Sequence, residues 1–203
     1  MAVVKPFREL PTQTRKEFNY DFADHVWFTN YFNDDEVKKI LSLWKDELVI
    51  EAQVEDKNKD AMRDDLRKSK VMWIKPGDNN WIYDKLEKAI NHTNTKRYQF
   101  DVKGFQTELQ LAEYSGGGFF DWHMDFGVGN LSDRKLSITV QLSDSTEYEG
   151  GDLQFMINNK ILAAPRTKGT AIIFPSFAMH RVLPVTSGVR KSIVGWIAGP
   201  PYR

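Results

Sequence analysis

The segment 169–197 constrains the fold of this chain most, because it sets one histidine and one arginine into otherwise apolar sequence of β type. The pattern predicts strands at 169–174, 179–185 and 189–197. With a turn at Ser187-Gly188, His180 and Arg190 then lie on neighbouring strands. If both side chains face one side of the sheet, an imidazole and a guanidinium share a cavity, which suits a metal ion beside an anion. The alternative is a core histidine with a hydroxyl partner and an edge arginine in water.

The composition excludes several kinds of site and partner. The 28 basic and 28 acidic residues cancel, so the sequence predicts no general attraction to nucleic acid or to an anionic membrane. The chain has no cysteine, which leaves histidine and carboxylate as ligands for a transition metal. We see no apolar leader and no apolar run of the roughly 18 residues that span a membrane. We therefore expect a soluble protein, and the lack of cysteine fits the cytoplasm.

Two amphipathic helices are predicted in the first half of the chain. One begins after a cap at Asn33 or Asp34, and the other spans about 79–93. Each has a single apolar stripe, which predicts packing against a sheet. β-prone stretches precede the helices at 25–32 and 71–74. The stripes consist of Val37, Ile40, Leu41, Leu43 and Trp44 in the first helix, and of Trp81, Ile82, Leu86 and Ile90 in the second.

From about residue 97 the chain changes to short strands separated by turns. Helices followed by many short strands indicate an α+β protein whose β half closes as a sandwich or jelly roll. We predict a single domain over 1–203, with helical support and a lid region in 1–100 and the β core in 101–198. Beyond the three strands named above, the predicted strands are 97–102, 105–114, 118–124, 135–142, 152–156 and 160–163.

A second informative stretch lies at 108–126 and contains His123 and Asp125. Residues two apart on an extended strand point to the same face, so an imidazole and a carboxylate there can bind one ion. His180 follows 55 residues after Asp125 and supplies a third candidate ligand. Two histidines and one carboxylate leave coordination positions open, as in non-haem Fe(II) oxygenases. The other two histidines, His25 and His92, lie in no motif, and we interpret them as surface or structural residues.

Several motifs resemble those of a known family. The stretch LQLAEYSGGGFFDWHMDF at 109–126 is similar to the strand that carries the first two iron ligands in prolyl 4-hydroxylase catalytic domains. YEGGDL at 148–153 and HRVLPVTSGVR at 180–190 resemble the bacterial PKHD-type hydroxylases. Both groups are Fe(II)- and 2-oxoglutarate-dependent dioxygenases. The resemblance is close over about 105–198 and loose over 1–100, where it is limited to a D-x-R-x-S stretch before a strand and a helix.

This resemblance implies a double-stranded β-helix core, of the jelly-roll or cupin-like kind, with flanking N-terminal helices. It also implies that His123, Asp125 and His180 bind Fe(II), and that Arg190 binds the distal carboxylate of 2-oxoglutarate. A guanidinium suits that role because it stays charged and meets a carboxylate with two parallel hydrogen bonds. Collagen-type prolyl hydroxylases use lysine at this place, so the arginine favours the PKHD branch.

Three further residues follow from the same resemblance or from the alternation along the strand. Tyr114 matches a tyrosine that helps to hold 2-oxoglutarate, although packing in the core would also explain it. Ser192, two residues beyond Arg190, could donate another hydrogen bond to the co-substrate. Trp196 either forms a wall of the pocket or fills the core.

The implied activity is hydroxylation of an unactivated C–H bond with O2, with succinate and CO2 as co-products. The motifs favour a peptidyl proline as the substrate, and the family implies that ascorbate keeps the iron reduced. We expect the segments 51–70 and 127–134 to form lids, because mobile loops often complete such sites.

Two alternatives remain open at this stage. One is a hydroxylase of a free amino acid or another small metabolite. The other is a cupin-like jelly roll that binds metal without catalysis, since a fold alone does not fix a function. Such a protein would not need Arg190 beside the metal. The sequence leaves the oligomeric state open.

Overall fold

The computed structural model describes residues 24–52 and 66–202. Residues 1–23, residues 53–65 of the predicted lid and residue 203 lie outside the described residues. The helices are α1 (Asp34–Leu41) and α2 (Asn80–Thr93). The strands are β1 (Val26–Phe28), β2 (Ile50–Glu51), β3 (Arg67–Lys68), β4 (Lys70–Ile74), β5 (Gly104–Phe105), β6 (Leu109–Ser115), β7 (Phe119–His123), β8 (Arg134–Gln141), β9 (Tyr148–Gly150), β10 (Leu153–Ile157), β11 (Lys160–Ala163), β12 (Ala171–Pro175), β13 (Met179–Val182) and β14 (Val185–Ala198).

The strands form two antiparallel sheets. The larger sheet has the order β1-β12-β8-β14-β6-β4-β2, and β5 and β9 also pair with β14. The smaller sheet has the order β11-β10-β13-β7-β3. Apolar residues of both sheets pack together in one buried cluster, for example Phe155 of β10 against Phe174 of β12 with 4.9 Å between ring centroids. The two sheets thus face each other as a sandwich, as predicted for a jelly roll.

The outer face of the larger sheet is covered by the two helices. Ile40 of α1 and Leu86 of α2 are fully buried in one cluster with Leu136, Ile138 and Ile193 of the sheet. Helix α1 begins at the predicted cap, where the Asn33 side chain accepts from the Glu36 amide and the Glu36 side chain accepts from the Asn33 amide. This reciprocal pair satisfies two amides at the helix start that have no partner within the helix. The amphipathic stripes therefore place the helices as the sequence predicts.

The side chains of the central strand β14 alternate between two faces of the sheet. Ile193 and Ile197 point to the helices, whereas Arg190, Ser192 and Trp196 line a cavity between the sheets. The same period of two applies on β6 and β8, so polar residues of the larger sheet converge on the cavity while apolar neighbours fill the core. Polar side chains of both sheets, among them Arg67, Gln110 and Arg190, therefore line this cavity.

Two predicted elements are wrong. The turn at Ser187-Gly188 does not exist, because β14 runs without a break from Val185 to Ala198 and bulges there. Gly188 has φ +72, and a side chain on it would collide with the carbonyl oxygen of Glu147. The chain instead leaves β13 at Pro184, which has no amide proton to continue a ladder. His180 and Arg190 consequently lie in facing sheets and not on neighbouring strands.

The strand predicted at 97–102 is also absent. Helix α2 continues as a wide helical turn over Asn94–Tyr98, and Gln99 adopts a left-handed conformation with φ 53. The side chain of Asn94 bonds both to the amide and to the carbonyl of Phe100. These local bonds give the backbone partners that a strand would otherwise provide.

The first half of the chain is more than a helical support. It contributes β1, β2 and β4 to the larger sheet and β3 to the smaller one. Arg67 and Ser69, which were predicted to lie in a mobile segment, are buried. In the part of the chain that the structure describes, no helix is long and apolar enough to cross a membrane.

Candidate active site

The three predicted metal ligands meet at one end of the cavity. His123 ends β7, Asp125 follows just beyond that strand, and His180 lies on β13 directly opposite His123. Their possible ligand atoms all lie within 4.8 Å of one another. The histidine pairing comes from the strand register, because residues opposite each other in an antiparallel pair lie side by side on one face.

Both imidazoles are oriented by backbone carbonyls. Nδ1 of His123 lies 2.7 Å from the Asp121 carbonyl oxygen, and Nδ1 of His180 lies 2.9 Å from that of Ala178. A carbonyl oxygen only accepts, so each Nδ1 carries the proton and each Nε2 keeps its lone pair. The two Nε2 atoms lie 3.9 and 3.8 Å from the carboxylate oxygens of Asp125. Such bonds from the second ring nitrogen are the usual support for a metal-binding histidine.

The electrostatics of the site favour the protonation states that a metal requires. Burial, together with the nearby His180, lowers the pKa of His123 to about 3. Burial by itself would raise the pKa of Asp125, but His180, His123 and a hydrogen bond from Ser137 outweigh it and hold that pKa below its ordinary value. At neutral pH the site therefore offers a neutral imidazole and an ionised carboxylate, which are the metal-binding forms.

Ser137 supports the carboxylate and was not predicted from the sequence. Its hydroxyl donates to Oδ2 of Asp125 at 2.6 Å and lies 3.0 Å from the hydroxyl of Ser176. Both serines are fully buried. The sequence feature that could have indicated Ser137 is its polar side chain within the run RKLSITVQ of β8. Alternation along the strand places it on the cavity side.

Arg190 lies in the same cavity, and part of its hydrogen-bonding capacity is unused by the described residues. Its side chain is 1% exposed, and its Nη2 donates to Oε1 of Gln141 at 2.9 Å. Nε and Nη1 have no hydrogen-bond partner among the described residues. Tyr114, its partner across β6, presents its ring 5.4 Å from the guanidinium carbon, and Ser192 lines the same cavity. A buried cation with two unused donors fits the carboxylate of a bound anion such as 2-oxoglutarate.

A second buried arginine lines the cavity and was assigned no role from the sequence. Arg67 donates from Nε to Ser69 at 2.8 Å and from Nη2 to Gln110 at 2.9 Å. Its guanidinium also lies 4.7 Å from the ring centroid of Phe120, which in turn stacks on His123. The sequence signal was the alternating R-K-S pattern before β4, which puts Arg67 and Ser69 on one face.

The remaining histidines stay outside the ligand cluster. His25 is buried and stacks on Phe155 with 4.3 Å between ring centroids, so it has a structural role. His92 is exposed on α2. The predicted lid at 127–134 contains a short 3-10 helix at Gly129–Asp133. Trp196 lines the cavity. Of its two predicted placements, the structure therefore shows the one in the wall of the pocket.

Comparison with protein-family models identifies the β core. Residues 109–198 match the model described as the 2OG-Fe(II) oxygenase superfamily. The β core thus has the sequence pattern of this superfamily. The matched part begins at β6 and ends with β14, so it contains the three candidate ligands and Arg190.

Several proteins with similar sequences are PKHD-type hydroxylases. One from a Synechococcus species is 35% identical over 117 residues, which cover 57% of this chain and 52% of the relative. Another from Colwellia psychrerythraea is 30% identical over 122 residues, which cover 57% of this chain and 55% of that relative. The chain thus spans about half the length of the curated relatives it matches.

Solved structures confirm the predicted fold. The chain resembles a prolyl-4-hydroxylase of Pseudomonas putida with a TM-score of 0.72 and 20% identity, covering 89% of this chain and 96% of that one. It also resembles a Trichoplax adhaerens prolyl hydroxylase, solved with a hypoxia inducible factor peptide fragment, with a TM-score of 0.72 and 18% identity. That match covers 88% of this chain and 85% of the other. The predicted double-stranded β-helix with flanking helices is therefore correct.

Proposed function

We propose that this chain is an Fe(II)- and 2-oxoglutarate-dependent hydroxylase. The observation that carries the proposal is the pair of unused donors on buried Arg190, in the same cavity as the cluster of His123, Asp125 and His180. A metal site alone would not need a buried guanidinium beside it. A metal-binding jelly roll without catalysis is disfavoured for the same reason, because a buried cation without an anion is costly.

The residues fit the proposed cofactors in chemical type. His123, Asp125 and His180 would hold Fe(II) as two imidazoles and a carboxylate on one face, leaving the other positions open. Arg190 would hold the distal carboxylate of 2-oxoglutarate, and Tyr114 and Ser192 would complete that end of the cavity. When bound, iron and 2-oxoglutarate supply the activation of O2 that hydroxylates an unactivated C–H bond, with succinate and CO2 as co-products.

For the primary substrate we propose a peptidyl proline. The supporting observations are the prolyl-hydroxylase-like motifs and the exposed apolar side chains of Trp73 and Met124, which are 37% and 45% exposed. The ring of Trp73 contacts that of Trp196, which lines the cavity. Met124 lies in the sequence between the candidate ligands His123 and Asp125. Apolar and aromatic side chains suit an extended proline-containing peptide, whose conformation is already restricted before binding.

Four further expectations belong to this proposal. Ascorbate would sustain turnover by keeping the iron reduced. The chain would act as one catalytic domain, since strands from both halves pair within both sheets. The absence of cysteine fits a cytoplasmic location. Oxygen and the substrate would be its only other partners in the reaction.

The test is turnover of 2-oxoglutarate against a panel of proline-containing peptides and free amino acids. We expect succinate to form in step with a mass gain of one oxygen on a peptidyl proline. If only a free amino acid or small metabolite stimulates succinate formation, the second candidate replaces the peptide. If no succinate forms with Fe(II), 2-oxoglutarate and ascorbate present, the hydroxylase proposal itself is wrong.

A further inference from the structure

A second cavity lies outside the active site, at the end of the larger sheet where β8 begins and β14 ends. Its volume of about 490 Å³ falls within the range of pockets that bind small molecules. It shares no lining residue with the cavity that contains the candidate metal ligands. Its apolar wall comes mainly from Phe100, Pro200, Pro201 and Tyr202, and its charged side chains are Lys135 and Asp101.

Lys135 brings a buried ammonium group to this cavity. The residue is 4% exposed, and its Nζ lies 3.2 Å from the ring centroid of Tyr202. Within residues 24–52 and 66–202, Nζ forms no hydrogen bond or ion pair. A lysine ammonium has three N–H donors, and the face of a ring supplies no lone pair for them. The donors are therefore available to an acceptor that enters the cavity.

The surroundings of Lys135 favour a bound anion. Burial lowers the pKa of Lys135, and the carboxylates of Asp133 and Asp101 oppose this shift without forming an ion pair with it. A buried cation without a hydrogen-bonded anion is costly, so an anion that reaches Nζ is stabilised. The cover over the ammonium is thin, because Tyr202 is 47% exposed. A ligand can therefore approach Lys135 from the cavity beside this ring.

Asp101 limits the charge of the ligand that fits. It is exposed and lines the same cavity as Lys135. A ligand with one carboxylate can bond Lys135 and keep its apolar part toward Asp101, whereas a second carboxylate would meet a charge of the same sign. The apolar walls favour a ligand whose remaining atoms are apolar.

We infer that this cavity is a second binding site, which takes a small monocarboxylate with an apolar body. Lys135 bonds the carboxylate through a charge-assisted hydrogen bond, and the rings of Phe100 and Tyr202 contact the apolar body. The inference goes beyond the proposed function and does not depend on it, because no residue of the active site lines this cavity.

Benzoate is the probe for this site, because it joins one carboxylate to a flat apolar ring. The chain has seven tyrosines, and the ring signal of Tyr202 in the NMR spectrum of tyrosine-labelled protein is identified by its loss in Tyr202→Phe. Three compounds with a similar ring serve for comparison: benzyl alcohol is neutral, benzylammonium is a cation and phthalate has two carboxylates. Each titration of the full chain is run with and without Zn(II) and 2-oxoglutarate.

We expect benzoate to shift the Tyr202 signal in a saturable manner, with the same affinity whether or not Zn(II) and 2-oxoglutarate are present. Benzyl alcohol and phthalate should bind more weakly, and benzylammonium should leave the signal unchanged. Lys135→Met should weaken benzoate about tenfold, since a hydrogen bond to a charged group is lost. Lys135→Arg should recover part of this loss. Asp101→Asn should reduce the preference for benzoate over phthalate.

The matched control is Lys191→Met, which should bind benzoate as the wild type does. The ammonium of Lys191 also lies over a ring, 4.0 Å from the centroid of Trp44, but it forms an ion pair with Glu113 and does not line the cavity. Circular dichroism checks that each variant is folded.

Four results would overturn the inference. The first is a Tyr202 signal that does not respond to benzoate at concentrations on the order of 10 mM, which correspond to weak binding. The second is equal affinity for benzyl alcohol and benzoate, and the third is unchanged benzoate affinity in Lys135→Met. The fourth is displacement of benzoate by 2-oxoglutarate, which would place the probe in the active site. An unchanged preference in Asp101→Asn would overturn the limit to one carboxylate.

Discussion

The carboxamide of Gln141 holds the guanidinium of Arg190 through a hydrogen bond of 2.9 Å from Nη2 to Oε1. The side-chain nitrogen of Gln141, Nε2, donates at 3.2 Å to the carbonyl oxygen of Pro165. This second bond fixes which end of the carboxamide faces the arginine. Both side chains are 1% exposed. Gln141 thereby turns the two free donors of Arg190 toward the cavity.

Replacing Gln141 by leucine should lower the affinity for 2-oxoglutarate about tenfold or more, since a hydrogen bond to a charged group is lost. Metal binding should be unchanged. Calorimetric titration of the Mn(II)-loaded protein with 2-oxoglutarate measures the first affinity, and titration of the metal-free protein with Mn(II) measures the second. Gln154→Leu is the control, because Gln154 accepts from Arg181 away from the cavity. Equal losses in the two variants would contradict the role of Gln141.

Arg190→Ala should have a larger effect than Gln141→Leu. Losing one partner of a buried charge pair costs about 2–5 kcal/mol, so 2-oxoglutarate should saturate the variant only at far higher concentrations. Mn(II) affinity in the absence of 2-oxoglutarate should stay within a factor of two. If Arg190→Ala is saturated at the same 2-oxoglutarate concentration as the wild type, the arginine binds another ligand.

His180→Ala should abolish metal binding and metal-dependent succinate formation. The variant removes one of three clustered ligands, and the substitution is small enough to leave the sheet intact. Electron paramagnetic resonance of added Mn(II) measures the binding, and circular dichroism checks the fold. His92→Ala, on the exposed face of α2, is the control and should bind metal normally. Full activity in His180→Ala would remove His180 from the site.

Ser137→Ala should weaken metal binding about 10- to 100-fold, the usual effect of losing a residue that orients a ligand. The variant removes the 2.6 Å hydrogen bond to Asp125. Mn(II) titration measures the change. Ser143→Ala is a matched control, because the Ser143 hydroxyl bonds the backbone of β14 elsewhere in the same sheet. An unaltered Mn(II) affinity in Ser137→Ala would refute the positioning role.

The metal-free protein should lose stability as the pH falls. The pKa of His123 is about 3 in the fold and about 6.5 in the unfolded chain. Below pH 6.5 the unfolded chain binds a proton that the folded one does not, so this contribution is complete above 6.5 and decreases toward pH 3. Urea midpoints with a chelator at pH 7.5, 6 and 5 measure it. In His123→Gln the midpoint should depend less on pH, and identical slopes would contradict the prediction.

Local sequence patterns determined much of the fold and the site. The apolar stripes of α1 and α2 and the cap at Asn33 predict the helices, since both depend on residues within a few positions of each other. The spacing of His123 and Asp125 places them on one face because the period of a strand is two. The motif resemblance predicted the superfamily and the β-helix, and both are confirmed.

Only the tertiary structure decided which strands face each other across the cavity. The sequence placed His180 and Arg190 on neighbouring strands, but the chain crosses between the sheets at Pro184, and the two side chains meet from opposite sides. Gln141 likewise reaches Arg190, and Arg67 reaches the cavity, through pairings with strands distant in sequence. Strand pairing depends on long-range packing and backbone hydrogen bonds that local patterns do not encode. The period of two fixes the face of each strand, and the tertiary fold fixes what that face meets.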